Sequence, residues 1–281
     1  MHTAPLVAID LDGTLLDPNG EITPRSVSAV HAAAAAGMRI VIATGRPPHM
    51  VAQLDDVLAG AVSHVVATNG SLISTFPAHP GDEPQLLHLL SFDIHRARRI
   101  VGDLRASDAG FGFALATDRG FGHEPGFVER MPAAVHEPAI SDVLTIDGTV
   151  AFKLFAFHDR RSSHALLVEL PPLVNPHDDA VHEEVFGVSH MGADAVEIGP
   201  ASTDKCAGLR WLCEHLDVDR SDVIAIGDEL NDLTMLRWAG RGIAMDNADP
   251  EVRAVADEIA PSNRDDGVAQ ILEALTAAVE R

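Results

Sequence analysis

The sequence predicts an α/β protein with a Rossmann-like, doubly wound parallel-sheet core and an inserted α/β cap domain. Short apolar runs alternate with helical patterns near both ends of the chain, which is typical of βαβ units. Between about 82 and 186 this alternation is lost, and Gly, Pro, His and Phe interrupt the pattern. The 281 residues are also long for one hydrophobic core, which usually stops growing near ~250–300 residues. We therefore expect a discontinuous core over 1–81 and 187–281, and a cap over 82–186.

The N-terminal part predicts three buried strands with helices between them. The strands are expected at 6–9, 39–43 and 64–67. Thr23 followed by Pro24 is typical of an N-cap and a first helical residue, and Gly37 ends that helix. A second helix is expected to begin at Pro47.

The C-terminal part resumes the same alternation. Helices are expected at 205–216, 230–238 and 268–279, with another after Pro250. Strands are expected at 223–226 and 243–245. Together the two ends of the chain predict one parallel sheet.

The charge of the chain restricts its partners. The formal net charge is −22, and no block of Lys and Arg is present that would neutralise a polyanion, so we expect neither nucleic acid nor a membrane as partner. A site for a small anion must therefore supply its own cations. No apolar run of about 18 residues is present. Cys206 and Cys213 lie too far apart on a predicted helix for a disulfide, which fits a cytoplasmic protein.

Polar residues follow three of the predicted strands. Asp10 and Asp12 come directly after the first strand, and Thr44-Gly45-Arg46 follows the second. Asp228 and Asp232 follow the strand at 223–226. Because ligands bind outside the carboxyl ends of parallel strands, we expect these side chains to form one site. Each group alone has an ordinary structural explanation, such as a capped turn, but together they indicate function.

The residue types in this set suit phosphoryl chemistry. A phosphate monoester is a dianion, so a carboxylate nucleophile approaches it only if a cation offsets the repulsion. Asp10, Asp228 and the main-chain carbonyl of Asp12 offer the hard oxygen ligands that Mg²⁺ prefers. Lys205, near the start of a predicted helix, and the Thr44 hydroxyl are suited to holding phosphoryl oxygens.

These segments resemble the four ordered motifs of the haloacid dehalogenase superfamily, and its Cof-type phosphatases in particular. The motifs are Asp10-x-Asp12-Gly13-Thr14, Thr44-Gly45-Arg46, Lys205 and Gly227-Asp228-x-x-Asn231-Asp232. Thr68-Asn69-Gly70 is similar to a shorter block of the family. The stretch between Thr14 and Thr44 holds one helix and one strand, so the cap implied by the resemblance must lie between Thr44 and Lys205.

The resemblance also implies a role for each matching residue. Asp10 is expected to become a phosphoaspartate, and Asp12 to act as general acid and base. The implied catalytic set is Asp10, Asp12, Thr44 and Lys205. The implied substrate-binding set is Thr44, Gly45, Arg46, Asn69, Lys205 and Asn231. The implied Mg²⁺ ligands are Asp10, Asp12, Asp228 and Asp232. Cys206 and Asp246 depart from the family, whose members often have Gly at these positions.

The sequence thus predicts a Mg²⁺-dependent phosphatase for a small phosphorylated metabolite, acting as a monomer or small homo-oligomer. A phosphomutase, which returns the phosphoryl group to its substrate, is an alternative, and a non-catalytic binding protein is another. Lys153, Arg130 and the arginines at 96–99 are candidates to contact the substrate. The acidic and histidine residues at 177–184 lack metal-ligand spacing and are expected to be solvated.

Overall fold

The computed structural model describes residues 5–130, 139–175, 186–190, 194–201 and 203–279. The residues at 177–184 lie outside these ranges. The strands are β1 Leu6–Ile9, β2 Arg39–Ala43, β3 Val62–Ala67, β4 Leu72–Thr75, β5 Leu86–Leu89, β6 Phe92–Asp93, β7 Phe111–Thr117, β8 Gly120–His123, β9 Val150–His158, β10 Phe186–His190, β11 Val196–Pro200, β12 Val223–Gly227, β13 Arg241–Met245 and β14 Glu258–Ala260. The helices are α1 Pro24–Ala35, α2 Pro48–Val51, α3 Asp55–Leu58, α4 Ile94–Ser107, α5 Phe127–Arg130, α6 Ser163–Val174, α7 Lys205–His215, α8 Leu233–Trp238, α9 Pro250–Arg253 and α10 Gly267–Val279.

The chain forms two compact units. The core unit comprises residues 1–89 and 204–281, and the inserted unit comprises 90–203. These boundaries lie later in the chain than the expected 82 and 186. The reason is strand pairing: β5 pairs with β4 in the core sheet, whereas β10 and β11 join the sheet of the inserted unit.

The core unit contains an eight-stranded sheet in the order β14-β13-β12-β1-β2-β3-β4-β5. Pairing is parallel from β14 to β3 and antiparallel for the last two strands. The chain starts at β1, moves outward through β2 and β3, and later places β12 on the other side of β1. This is the doubly wound arrangement that the sequence predicts, and its switch point lies between β1 and β12.

Continuous apolar sequence explains the centre of this sheet. All four residues of β1 are fully buried, as expected for a parallel strand covered on both faces. Helix α1 begins as predicted, because the Thr23 hydroxyl accepts a hydrogen bond from the N–H of Ser26. Helix α8 is shorter than expected, because Leu230–Asp232 forms a separate turn.

The inserted unit is an antiparallel sheet with helices, as expected for an α/β cap. Its strands follow the order β10-β11-β9-β7-β8, and β6 pairs with β9. Alternate residues of β9 enter two separate apolar clusters, Leu154 and Ala156 in one, Phe155 and Phe157 in the other. Among the described residues of both units, no helix is long and apolar enough to cross a membrane.

Candidate active site

The switch point of the core sheet brings two acidic strand ends together. Asp10 follows β1, and its N–H donates to the carbonyl of Ile226 in β12 at 3.0 Å. Asp228 follows the last residue of β12. Because the two strands are parallel neighbours, both side chains emerge at the carboxyl edge of the sheet.

Three buried carboxylates meet at this edge. Asp10, Asp228 and Asp232 each offer an oxygen, and these oxygens lie within 4.8 Å of one another. The Nζ of Lys205 lies 2.6 Å from Oδ1 of Asp10 and 2.6 Å from Oδ1 of Asp232. The lysine is only 1% exposed. One ammonium group is therefore shared by two of the three carboxylates.

Burial shifts the ionisation of this cluster. It raises the pKa of Asp10 well above its usual range, although Lys205 opposes the shift. It likewise raises the pKa of Asp228 to about 7, against the hydrogen bond from Thr14. Burial lowers the pKa of Lys205, but Asp10 and Asp232 outweigh burial, and the net shift is upward. Burial thus makes ionisation of both carboxyl groups costly, and added positive charge would offset that cost.

This donor set fits a hard divalent cation. The cluster offers carboxylate oxygens only, and a bound cation would remove the cost of keeping Asp10 and Asp228 ionised. Asp232 differs from these two. Its Oδ2 accepts from the N–H groups of Asp228 and Glu229 at 2.9 and 3.1 Å, while its Oδ1 accepts from Lys205. With both oxygens engaged, Asp232 orients the Asp228 backbone and Lys205.

The Asp12 carboxylate lies apart from the three buried ones. Its side chain is 60% exposed and forms a two-pronged ion pair with Arg46. Arg46 Nε donates to Oδ2 at 2.8 Å, and the second guanidinium nitrogen donates to Oδ1 at 2.6 Å. The structure thus pairs Arg46, which the resemblance assigns to substrate binding, with the expected general acid and base.

The remaining expected substrate-binding residues form one hydrogen-bonded group. Thr44 directly follows β2 and is fully buried, and its carbonyl accepts from the N–H of Asn69 at 3.0 Å. Asn231 Nδ2 donates to Oδ1 of Asn69 at 3.1 Å. Gly45 packs against this pair, since a Cβ there would lie 3.3 Å from Oδ1 of Asn69.

A left-handed turn supports the start of helix α7. Thr68, Asn69 and Gly70 have φ values of 49°, 51° and 91°. A Cβ on Gly70 would lie 2.1 Å from the carbonyl oxygen of Asp204, the residue that caps α7. Glycine therefore permits the turn and the helix to touch, and this contact positions Lys205.

The two departures from the family leave this site intact. Cys206 is buried in α7, and burial raises the pKa of its thiol to about 11, so the thiol stays protonated. Asp246 pairs with Arg253 at 2.9 Å and is absent from the carboxylate cluster among the described residues.

The candidate contacts of the inserted unit already have internal partners. Lys153 forms a buried ion pair with Glu197 at 3.1 Å. Arg96 and Arg130 each donate to a main-chain carbonyl within the same unit. These three charged side chains thus bind to other groups of the inserted unit.

Two residues of the site were missed by sequence reasoning as functional groups. Thr14 Oγ1 donates to Oδ1 of Asp228 at 2.6 Å, and Asn247 Nδ2 lies 3.4 Å from Oδ2 of the same carboxylate. Thr14 belongs to the first motif, so its place in that motif could have identified it as a site residue. Asn247 has no local signal, because its partners are remote in sequence.

Comparison with known proteins identifies the class. Residues 7–272 match the family model of haloacid dehalogenase-like hydrolases, and the chain belongs to this family. It is similar to YxeH of Bacillus subtilis (strain 168), with 30% identity covering 97% of this chain and 98% of that protein. It is also similar to the pyridoxal phosphate phosphatase YbhA of Escherichia coli (strain K12), with 28% identity covering 96% and 98%.

The fold has close counterparts among solved structures. A crystal structure of a haloacid dehalogenase-like hydrolase from Bacteroides thetaiotaomicron aligns with a TM-score of 0.80 and 24% identity, covering 97% of this chain and 99% of that one. The family, the fold class and the assignment as a phosphatase, all predicted from sequence, are confirmed.

Proposed function

We propose that this phosphatase hydrolyses a small phosphorylated metabolite in the cytoplasm through a phosphoaspartate on Asp10, with Mg²⁺ as cofactor. One observation carries the proposal: the Asp10 carboxylate is buried at the switch point of the sheet, in contact with Lys205 and grouped with Asp228. A carboxylate in this position can attack phosphorus only where cations offset the charge of the ester.

In the first half-reaction, an Asp10 oxygen attacks phosphorus and the bond from phosphorus to the ester oxygen breaks. The departing oxygen takes a proton from Asp12. Lys205 keeps its proton, and its ammonium offsets negative charge beside Asp10. The Thr44 hydroxyl is proposed to hold a phosphoryl oxygen. The products are an alcohol and the phosphoaspartate.

In the second half-reaction, water attacks the phosphoaspartate and Asp12, now ionised, takes the proton from that water. The bond between phosphorus and the Asp10 oxygen breaks, which releases inorganic phosphate and restores the carboxylate. Arg46 is proposed to keep the Asp12 carboxylate aimed during both steps, since the guanidinium binds both of its oxygens.

Asp10, Asp228 and the main-chain carbonyl of Asp12 are proposed to hold Mg²⁺, and Asp232 to support them. The bound ion supplies positive charge that lets an anionic ester approach an anionic nucleophile. The same charge would offset the cost of ionising Asp10 and Asp228, whose pKa values burial raises.

Replacing Asp10 or Asp12 tests the proposal. With p-nitrophenyl phosphate, whose leaving group needs little protonation, Asp12→Asn should still transfer the phosphoryl group to Asp10. Its water step should lose roughly 10²–10⁴ in rate, so the phosphoaspartate accumulates. Intact-mass measurement after rapid quenching should find one added phosphoryl group on Asp12→Asn and none on Asp10→Asn.

Asp246→Asn is the matched control, because it neutralises an exposed carboxylate outside the cluster. It should turn over like the parent protein. Phosphate mapped to any residue other than Asp10 would overturn the proposed mechanism. Transfer of the phosphoryl group to a second sugar phosphate, in place of water, would identify a phosphomutase.

A further inference from the structure

Asn247, in the segment between β13 and α9, reaches two parts of the candidate site at once. Its Nδ2 donates to the carbonyl oxygen of Gly13 at 2.8 Å. The same nitrogen lies 3.4 Å from Oδ2 of Asp228. Gly13 belongs to the turn after Asp10, whereas Asp228 directly follows β12, so a single amide connects the two segments that carry the buried carboxylates.

The orientation of this amide is fixed by a second asparagine. Oδ1 of Asn247 accepts from the N–H of Asn263 at 3.0 Å, which places the NH₂ group toward Gly13 and Asp228. The side chain of Asn263 in turn donates to the carbonyl of Leu16 at 2.8 Å. Two asparagines, one after β13 and one after β14, therefore bond to the chain that leaves β1.

Asp228 is thus oriented from both sides. Thr14 donates to Oδ1, and the Asn247 amide faces Oδ2. Gly13 also packs directly against this carboxylate, because a Cβ on Gly13 would lie 2.1 Å from Oδ2 of Asp228. Only a donor fits at the position of the Asn247 nitrogen, since both groups facing it are acceptors.

We propose that Asn247 is a positioning residue that sets the Asp228 carboxylate and the turn over Leu11–Leu15 in the geometry that holds the divalent cation. The inference rests on the proposed function for its cation. Asn247 itself contacts Gly13 and Asp228 through the two hydrogen bonds of its Nδ2. Groups that orient a metal ligand typically change metal affinity or activity by about 10–100-fold when replaced.

Asn247→Leu tests this directly, because it keeps the approximate shape of the side chain and removes the donor without adding a charge that would itself attract a cation. Calorimetric titration of the substrate-free protein with Mg²⁺ should give a Kd raised about 10–100-fold. The rate should recover as Mg²⁺ is raised toward saturation. Gln270→Met is the matched control: it likewise removes an amide, one that donates to the Asp265 carbonyl, and its Mg²⁺ affinity should match the parent protein.

Asn263→Ala is a second variant: it keeps the N–H that donates to Asn247 but removes the side chain that binds Asn263 to Leu16, so it should weaken Mg²⁺ binding in the same direction but less. Thermal unfolding in EDTA separates positioning from a merely structural role. A lower Tm in EDTA with unchanged Mg²⁺ affinity would overturn the inference, and so would a rate that no Mg²⁺ concentration restores. Failure of the proposed function itself would appear separately, as a parent protein that never becomes phosphorylated on Asp10.

Discussion

The ion pair between Arg46 and Asp12 links a family motif to the proposed proton transfer. Arg46→Lys keeps the charge but loses the planar fork that binds both carboxylate oxygens. We expect the rate at which an alkyl phosphate phosphorylates Asp10 to fall roughly 10-fold, because its leaving group needs the Asp12 proton. The rate of phosphorylation by p-nitrophenyl phosphate should fall much less.

A matched control exists on the surface of the same unit. Arg25 makes the same two-pronged contact with Glu273, at 2.9 and 2.8 Å, and Arg25→Lys should leave both rates unchanged. Single-turnover measurements with rapid quenching on the two substrate types measure the contrast. If Arg46→Lys lowered the rate equally with both substrate types, Arg46 would instead act in phosphate binding.

Asp228 should make the metal-free protein less stable as the pH rises. Burial raises its folded-state pKa to about 7, whereas an unfolded aspartate titrates near about 3.9. The folded state therefore binds the Asp228 proton more tightly than the unfolded state does. The stabilisation that this proton gives the folded state is complete below the unfolded pKa and is lost as the pH rises through the folded pKa. In EDTA, Asp228→Asn should thus lose less Tm between pH 5 and 8 than the parent protein.

Calorimetric unfolding across that pH range checks this expectation. Asp246→Asn, at an exposed carboxylate, should keep the pH profile of the parent protein. Parallel profiles for Asp228→Asn and the parent would show that Asp228 ionises as freely as a surface group.

At the level of elements, the turn after β1 requires glycine at position 13 for two reasons: a left-handed backbone and a close contact with Asp228. Gly13 has a φ of +79°, and its Cβ position is blocked by Asp228. Gly20 has nearly the same φ, +80°, but nothing lies within 4 Å of its Cβ position. Each substitution by alanine should cost about 1–2 kcal/mol of stability from the left-handed backbone. Only Gly13→Ala should also weaken Mg²⁺ binding and turnover, because it displaces Asp228.

Chemical denaturation together with Mg²⁺ titration distinguishes the two effects. If Gly20→Ala lost Mg²⁺ affinity as strongly as Gly13→Ala, the effect would come from backbone strain alone. Comparing the two variants thus distinguishes the effect of the left-handed backbone from the effect of the contact with Asp228.

The elements that the sequence predicted well are those specified by a local pattern. Strands β1 and β2 are continuous apolar runs, and α1 begins at a recognisable cap. Strands β4 and β5 escaped prediction, because β5 is only partly buried and its pairing with β4 crosses a ten-residue gap. The hydrogen bond from Asn247 to Gly13 spans 234 positions, and no local signal reports such a contact.

At the scale of the whole molecule, we expect the core unit to carry out catalysis and the inserted unit to select the substrate. Every residue of the implied catalytic, substrate-binding and Mg²⁺-ligand sets belongs to 1–89 or 204–281, whereas 90–203 has its own sheet and apolar clusters. A protein in which a short linker replaces 90–203 should still hydrolyse p-nitrophenyl phosphate. It should, however, lose its discrimination among phosphorylated metabolites. Relative kcat/KM values over a metabolite panel measure this, and unchanged ratios would place specificity in the core unit.

The central position of β1 also has a consequence during protein synthesis. One side of β1 pairs with β2, which follows closely, but Leu6 pairs on the other side with Val223. Chains emerge from the ribosome N-terminus first, so this apolar strand keeps one unpaired side until β12 has been made. Asp10 likewise has no Lys205 beside it until then. On the proposed mechanism, the growing polypeptide is therefore inactive until Lys205 has been made, and its open strand edge needs protection from other nascent chains.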